Sequence, residues 1–452
     1  MSQRQKLGLW MATSLVIGNV VGSGIFLLPT SLAHYGSLSL VSWGVTGVGA
    51  IFLALVFARL SRRHPQQGGL YVFSRLAFGD FIGFQVAWGY WLGTWISTAA
   101  LLVTAVSYLS VFFPILAQDP RIGTSVAIGI LWIFTLFQTF GVRQVGMLQV
   151  LSTVLKLVPI IIVGGIGWFF ISGAHFVPFN PSGEPPLQAL SGSIILTLFA
   201  FIGIESATVP AKDVKNPGHT IPRATIIGTV TCAVLYILST GAVLGLVPRE
   251  VLGNSHAPFV DALQHMVGPA YGVYAKFFVV ISAVISCLGA LNGYLLLQAH
   301  MPYAAARDGL FPSAFKTLSK RNVPIFGLIL SSVALTVFLL MNAAASLVEQ
   351  FNFIILISTF SILMPYAFSS VAEVVLLLKK DKSIIPQEKN KDKKNLALAV
   401  FLGAGAFIFS FWAIAGSGEK VVFMGALSLM GSVPVYIWVR WQNRSPTRKI
   451  KS

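Results

Sequence analysis

Apolar runs of about 20 residues, separated by short polar or charged turns, repeat along the whole chain, and about 20 apolar residues are what a helix needs to cross a bilayer. Twelve such spans are expected, near residues 8–33, 38–58, 80–113, 122–141, 146–172, 187–210, 222–247, 270–300, 323–342, 347–378, 395–416 and 420–440. The first span is interrupted. Gly18, Asn19, Gly22 and Gly24 crowd into it, and each glycine weakens a helix by roughly 1 kcal/mol. Backbone groups left unpaired in lipid cost several kcal/mol more, so the stretch from Ile17 to Pro29 is tolerable only where it lines a cavity. A second interruption, Phe199 to Ser206, falls in the sixth span and carries the acid Glu205. Paired interruptions in corresponding places of two halves point to the binding site of a secondary transporter.

Composition agrees with a membrane protein. Of 452 residues, 55% are hydrophobic and 10% charged, with a mean hydropathy of +0.80, too few charges to coat a soluble globule. The net charge of +17 and pI near 10.0 would suit nucleic acid, but the bases are confined to alternate loops. Apart from Lys156, only Arg121, Arg249, Lys276 and Lys420 fall outside those loops, which places both termini in the cytoplasm and excludes a nucleic-acid partner. Arg4 and Lys6 precede a full span without a small-residue cleavage site, so a retained first helix is expected rather than a signal peptide. Cys232 and Cys287 lie inside spans without CxxC spacing and read as packed free thiols. His34, His64 and His300 lie near span ends with no second ligand at metal spacing, so neither metal nor cofactor is expected. No nucleophile, base and acid set appears in the spans, which argues against an enzyme.

Five spans per unit give two halves of opposite topology, residues 1–172 and 173–378, each opening on an interrupted helix. A basic cytoplasmic loop, 379–394, reads as an anionic-lipid contact and topology signal. Residues 395–452 add a last helix pair, lipid-facing or dimer-forming, and a cytoplasmic tail. Between spans 7 and 8, the segment from His256 to Asp261 is expected to begin a re-entrant helix.

Gly22-Ser23-Gly24-Ile25-Phe26, the later Phe201-Ile202-Gly203-Ile204-Glu205-Ser206 and Val214-Lys215-Asn216-Pro217 resemble the amino acid, polyamine and organocation (APC) transporters. The resemblance is closest to the basic amino acid and polyamine antiporters. It extends through Ala257-Pro258-Phe259, Asp308-Gly309-Leu310-Phe311-Pro312 and Pro365-Tyr366, over essentially the whole chain. It implies an all-α, LeuT-like five-plus-five inverted repeat with discontinuous helices 1 and 6. By that resemblance, donors around Gly22, Ser23 and Gly24, flanked by Asn19, Val21 and Ile25, hold a substrate carboxylate. The carbonyls near Phe199, Ala200 and Ile202 hold its α-amino group.

The same resemblance assigns Trp95, Thr98, Phe199, Tyr294 and Ser358 to the side-chain pocket and Tyr366 to a gate. Phe199 and Tyr294 stand where the arginine exchanger has Trp, and Thr98 stands where it has Asn, which weakens the case for arginine. Trp88, Trp91 and Trp95 read either as packing or as a pocket wall. Glu205 is either a proton-sensitive gate or a protonated acid joining neighbouring helices. Lys156, deep in span 5, either substitutes for a coupling cation beside the first break or snorkels to the surface. Glu373, near Lys379, is expected at the interface.

These readings converge on a bacterial inner-membrane transporter that moves an amino acid or its amine product by alternating access, with exchange preferred over symport. A proton-coupled permease or exporter for neutral hydrophobic amino acids is the alternative, and a non-transporting amino acid receptor the remaining one. A homodimer is expected from the resemblance alone.

Overall fold

The computed structural model describes residues 7–66, 68–140, 153–209, 211, 214–379 and 389–444. The beginning of the expected fifth span, Lys212 and most of the basic 379–394 loop lie outside the described residues. Helices dominate, in chain order α1 (Leu9–Val20), α2 (Ser23–Leu32), α3 (Leu38–Arg63), α4 (Leu70–Phe78), α5 (Asp80–Leu109), α6 (Pro120–Gln138), α7 (Thr153–Phe169) and α8 (Pro186–Phe199). They continue as α9 (Pro217–Leu246), α10 (Pro258–Val267), α11 (Gly272–Arg307), α12 (Ile325–Met341), α13 (Leu347–Leu378), α14 (Lys389–Ala415), α15 (Glu419–Met430) and α16 (Val433–Arg444). Among the described residues nine helical stretches are long and apolar enough to cross a membrane, and α7, α8 and α12 are shorter apolar helices. Together they fall on the twelve expected runs.

Local chemistry sets many of the ends. Pro120 opens α6 behind Asp119, whose carboxylate accepts the Arg121 N–H at 2.9 Å. Ser346 and Glu349 form a reciprocal capping box at the start of α13. Pro186, Pro217 and Pro258 open α8, α9 and α10. The expected re-entrant helix is α10, a short lid packed on α2, α9 and α11.

Burial is inverted relative to a soluble protein. Phe137, Phe169, Phe401, Ile408 and Phe411 are exposed on the outside, whereas Asn19, Ser97, Lys156, Glu205 and Gln298 are buried. Lipid solvates the first set, and internal partners are needed by the second.

Two hydroxyl pairs fasten α8 along α3: Ser42 with Ser193 at 2.5 Å, and Thr46 with Thr197 at 2.7 Å. Both partners advance by four residues, so one face of each helix is joined over a full turn. Glu373, expected at the interface, has a side chain that is 2% exposed and pairs with Arg59 and Arg63 of α3. Burial of an acid there is tolerated because both carboxylate oxygens accept from the Arg59 Nε, at 3.0 and 2.8 Å.

Candidate substrate site between two helix breaks

α1 stops at Val20, where the Val21 N–H turns back to the Ile17 carbonyl (2.8 Å) and the Gly22 N–H to Val20 (3.0 Å). α2 starts immediately at Ser23. The N–H groups of Ser23, Gly24 and Ile25 find no acceptor among the described residues. They form the positive end of a buried ten-residue helix, a ready anion site. The opposite side of the break exposes carbonyls. Lys156 donates from Nζ to Gly18 (2.5 Å) and Val21 (2.7 Å), and Ser286 donates to Val21 at 3.3 Å.

The second break begins where α8 ends at Phe199 and continues to the short turn at Ser206–Thr208. Gly203 adopts φ +108°, a left-handed conformation that a side chain would strain. The Phe199 carbonyl accepts the Ile202 N–H at 3.1 Å, and the Ile202 carbonyl accepts the Tyr294 hydroxyl at 3.0 Å. The Tyr236 hydroxyl lies 2.7 Å from the Val20 carbonyl and 2.9 Å from that of Ala200. A phenol has one proton, so these two carbonyls, one beside each break, share or compete for a single donor. The breaks also touch: a Cβ at Gly24 would lie 2.9 Å from the Ala200 Cβ, closer than side chains approach.

Between them lies a cavity of about 10 Å³ lined by Asn19, Gly22, Ser23, Gly24, Phe199, Ala200, Ile202 and Tyr294, all expected from the sequence. Val20, Ser97 and Leu101 complete the wall. That volume holds about one water molecule, so this is a contracted conformation that must widen to admit cargo. The Asn19 carboxamide and the Ser97 hydroxyl are buried and have no hydrogen-bond partner among the described residues, which leaves both free for a ligand.

The other expected pocket residues are not in the lining of this contracted cavity. Trp95 packs edge-on to Phe338 of α12, with centroids 5.9 Å apart. Thr98 donates to the Thr94 carbonyl (3.0 Å) and Ser358 to that of Ile355 (3.2 Å). Val21 contributes its carbonyl to Lys156, and the Ile25 side chain is fully buried outside the lining. The resemblance singled out Thr98; its neighbour Ser97, one turn from Leu101, lines the contracted cavity. Tyr236 was also missed; a tyrosine in mid-span, whose hydroxyl needs a buried partner, was the available signal.

Both sides of the cavity are closed. On one, Glu205 accepts the Tyr90 hydroxyl at 2.7 Å and the Tyr366 hydroxyl at 2.5 Å. α5 and α13 are thereby tied to the second break, through Tyr366, which the sequence singled out, and Tyr90, which it did not. On the other, Thr30 donates to the Ser255 carbonyl (2.9 Å), Ser107 to that of His256 (2.8 Å) and Ser31 to Asn352 (2.5 Å). Phe26 packs on Phe259 of the α10 lid at 5.4 Å. No group of metal-ligating side chains occurs among the described residues.

Broken helices facing one another across a closed cavity are the arrangement of LeuT-fold secondary transporters, and solved structures agree. MhsT in complex with L-phenylalanine superposes with a TM-score of 0.65 at 13% identity, covering 92% of this chain and 100% of that one. Mhp1, a nucleobase-cation-symport-1 family transporter in a closed conformation, gives 0.54 at 13% identity over 97% and 94%. The amino acid permease model matches residues 7–439, and the chain belongs to that family. It is 32% identical over 427 residues to the putrescine transporter PotE of Haemophilus influenzae, covering 94% of this chain and 95% of the relative. It is 35% identical over 377 residues to the cadaverine/lysine antiporter of Escherichia coli, covering 82% and 84%. The protein is therefore a multi-pass secondary membrane transporter and not an enzyme.

Proposed function

We propose that this transporter exchanges an amino acid for a second amino acid or an amine across the inner membrane, with both termini in the cytoplasm. The reading rests above all on the opposed breaks: unpaired N–H groups at Ser23, Gly24 and Ile25 face the carbonyl-rich end of α8 across one cavity. An amino acid carries one charge of each sign, and the two ends are matched to it. In this scheme the carboxylate binds at the start of α2 and the α-amino group at the carbonyls of Phe199, Ala200 and Ile202, whose present partners include the Tyr236 and Tyr294 hydroxyls.

Lys156 acts as a resident cation that holds the first break in shape, and Glu205 with Tyr90 and Tyr366 forms a proton-sensitive gate. Residues 1–172 and 173–378 are the two repeats that rock against each other, and α14 to α16 support a homodimer. Exchange is preferred because Lys156 already occupies the carbonyls of Gly18 and Val21 that an inorganic cation would use. The uncharged lining, with Leu101 and Phe199, also favours a second reading, proton-coupled movement of a neutral apolar amino acid. Proteoliposomes loaded with one amino acid and offered another separate the two. Uptake that depends on internal amino acid supports exchange, and uptake into empty vesicles driven by a pH gradient supports the permease.

A further inference from the structure

We infer that the open groove at the start of α12 binds an anionic phospholipid, with one acyl chain laid along the helix and the phosphate held by Lys320 and Arg321. The groove has a volume of about 460 Å³ and is walled by Leu318, Ile325, Phe326, Ile329, Leu330 and Val333, with Thr317 and Ser319 at its polar end. At about 30 Å³ for a water-sized group, it has room for about fifteen methylenes. Ile325 to Val333 covers about 12 Å of helix, most of the about 15 Å of hydrocarbon in one leaflet. The same face of α12 continues as exposed Val337 and Leu340, so the groove opens onto lipid. Its wall is firm: the Phe326 ring stands perpendicular to that of buried Phe315, with centroids 4.9 Å apart.

The polar end is built to present positive charge. The Ser319 hydroxyl accepts the N–H groups of Arg321 (3.2 Å) and Val323 (3.1 Å), and the Ser319 N–H returns to the Val323 carbonyl at 2.9 Å. Asn322 takes φ +60° inside this tight turn, which leaves Lys320 and Arg321 exposed at its tip. The Arg321 guanidinium lies 5.0 Å from the Phe140 ring centroid at the end of α6, which positions it. Lys316 adds a third exposed base. The sequence has no acid between Asp308 and Glu349, and Asp308 is already engaged by Arg75 and Tyr71. Among the described residues no ion pair involves Lys316, Lys320 or Arg321. Unneutralised bases at the mouth of an apolar groove in a bilayer call for a ligand with a negative head and a hydrocarbon tail.

The test titrates the purified protein in detergent with phosphatidylglycerol and with phosphatidylcholine of the same acyl chains, and counts retained lipid by native mass spectrometry. Phosphatidylglycerol should bind about 30-fold more tightly, the worth of two bases at a membrane surface. Equal binding of the two lipids overturns the inference. Lys320→Gln combined with Arg321→Gln should erase the preference. Arg121→Gln combined with Lys420→Gln, which neutralises two exposed bases elsewhere, should leave it intact. An equal loss in both pairs would reduce the effect to overall charge and remove the site. Ile329→Trp, which fills the groove, should weaken phosphatidylglycerol binding by at least about tenfold, and unchanged binding would take the acyl chain out of the groove. Inorganic phosphate and glycerol 3-phosphate should not compete at equal concentration; competition by either would make the turn a phosphate site instead. A dimer lost in Ile329→Trp with lipid binding unchanged would assign the groove to a second copy of the chain. Where a variant does not fold, the wild-type lipid preference and the phosphate competition decide alone.

Discussion

The Arg59 guanidinium lies 2.8 Å from the Glu373 carboxylate, joining α3 to α13 at a point where the acid is almost wholly buried. The same arginine donates from Nη2 to the Asn395 carbonyl at 3.2 Å, so α14 is gathered into the contact. Neutralising Glu373 would strand Arg59, one-fifth exposed, and Arg63 beside an uncharged group. Glu373→Gln should destabilise the protein by about 3 kcal/mol, read as a lower thermal midpoint in detergent. Arg59→Lys should keep only part of the wild-type stability, because a single ammonium cannot reproduce the separate Nε contact to Glu373 and Nη2 contact to the Asn395 carbonyl.

Glu205 is held by two tyrosine hydroxyls from different helices, so its protonation exchanges one pattern of donors for another and changes what locks α5 and α13 to the second break. Glu205→Ala should flatten the pH dependence of transport. Tyr366→Phe, which removes one donor and leaves the acid, should shift the profile without abolishing it. A wild-type profile and rate in Glu205→Ala would take this residue out of the gate.

Tyr236 is predicted to position both breaks at once. In Tyr236→Phe the carbonyls of Val20 and Ala200 lose their shared donor, and an unsatisfied buried polar group costs about 1–3 kcal/mol. The Michaelis constant should rise by about tenfold while maximal exchange changes less. An equal fall in maximal rate with no change in the Michaelis constant would assign the tyrosine to helix movement instead.

The lid over the far side of the cavity should respond to pH through two groups with opposite signs. Burial raises the Asp261 carboxyl above its usual range, an effect moderated by its bond with Ser255 and by His265, His256 and Lys276. Burial lowers His256 below the ordinary imidazole value, partly countered by Asp261. A raised acid stabilises the docked lid below its unperturbed value, and that contribution is lost as pH rises through the raised one. A lowered imidazole stabilises the docked lid above its unperturbed value and ceases to as pH falls through the lowered one. Asp261→Asn should therefore keep α10 protected from hydrogen exchange at pH values where the wild-type lid has begun to loosen on the alkaline side. Identical exchange of α10 in both proteins across the range would refute this.

The breaks were legible because glycines and Asn19 sit in an otherwise apolar span, a local conflict that needs no knowledge of partners. Lys156 and Glu205 were legible for a related reason: charge inside a span demands an explanation. What the sequence hid was helix rotation and distant pairing. Ser97, one step along α5 from Thr98, lines the contracted cavity, and Trp95 packs on Phe338 of α12. The distance of Glu373 to Lys379 could not show its partners, Arg59 and Arg63, which come from a helix far away in the chain. Tyr90 and Tyr236 similarly acquire meaning only when three helices converge.

Counterflow in proteoliposomes tests the central claim most directly. Vesicles carrying the purified protein would be loaded in turn with lysine, leucine or buffer, and offered radiolabelled amino acids with and without a pH gradient. The account predicts uptake only where an amino acid is present inside, independent of the gradient in its requirement for counter-substrate. Equal uptake into buffer-loaded vesicles, driven by the pH gradient, would contradict it.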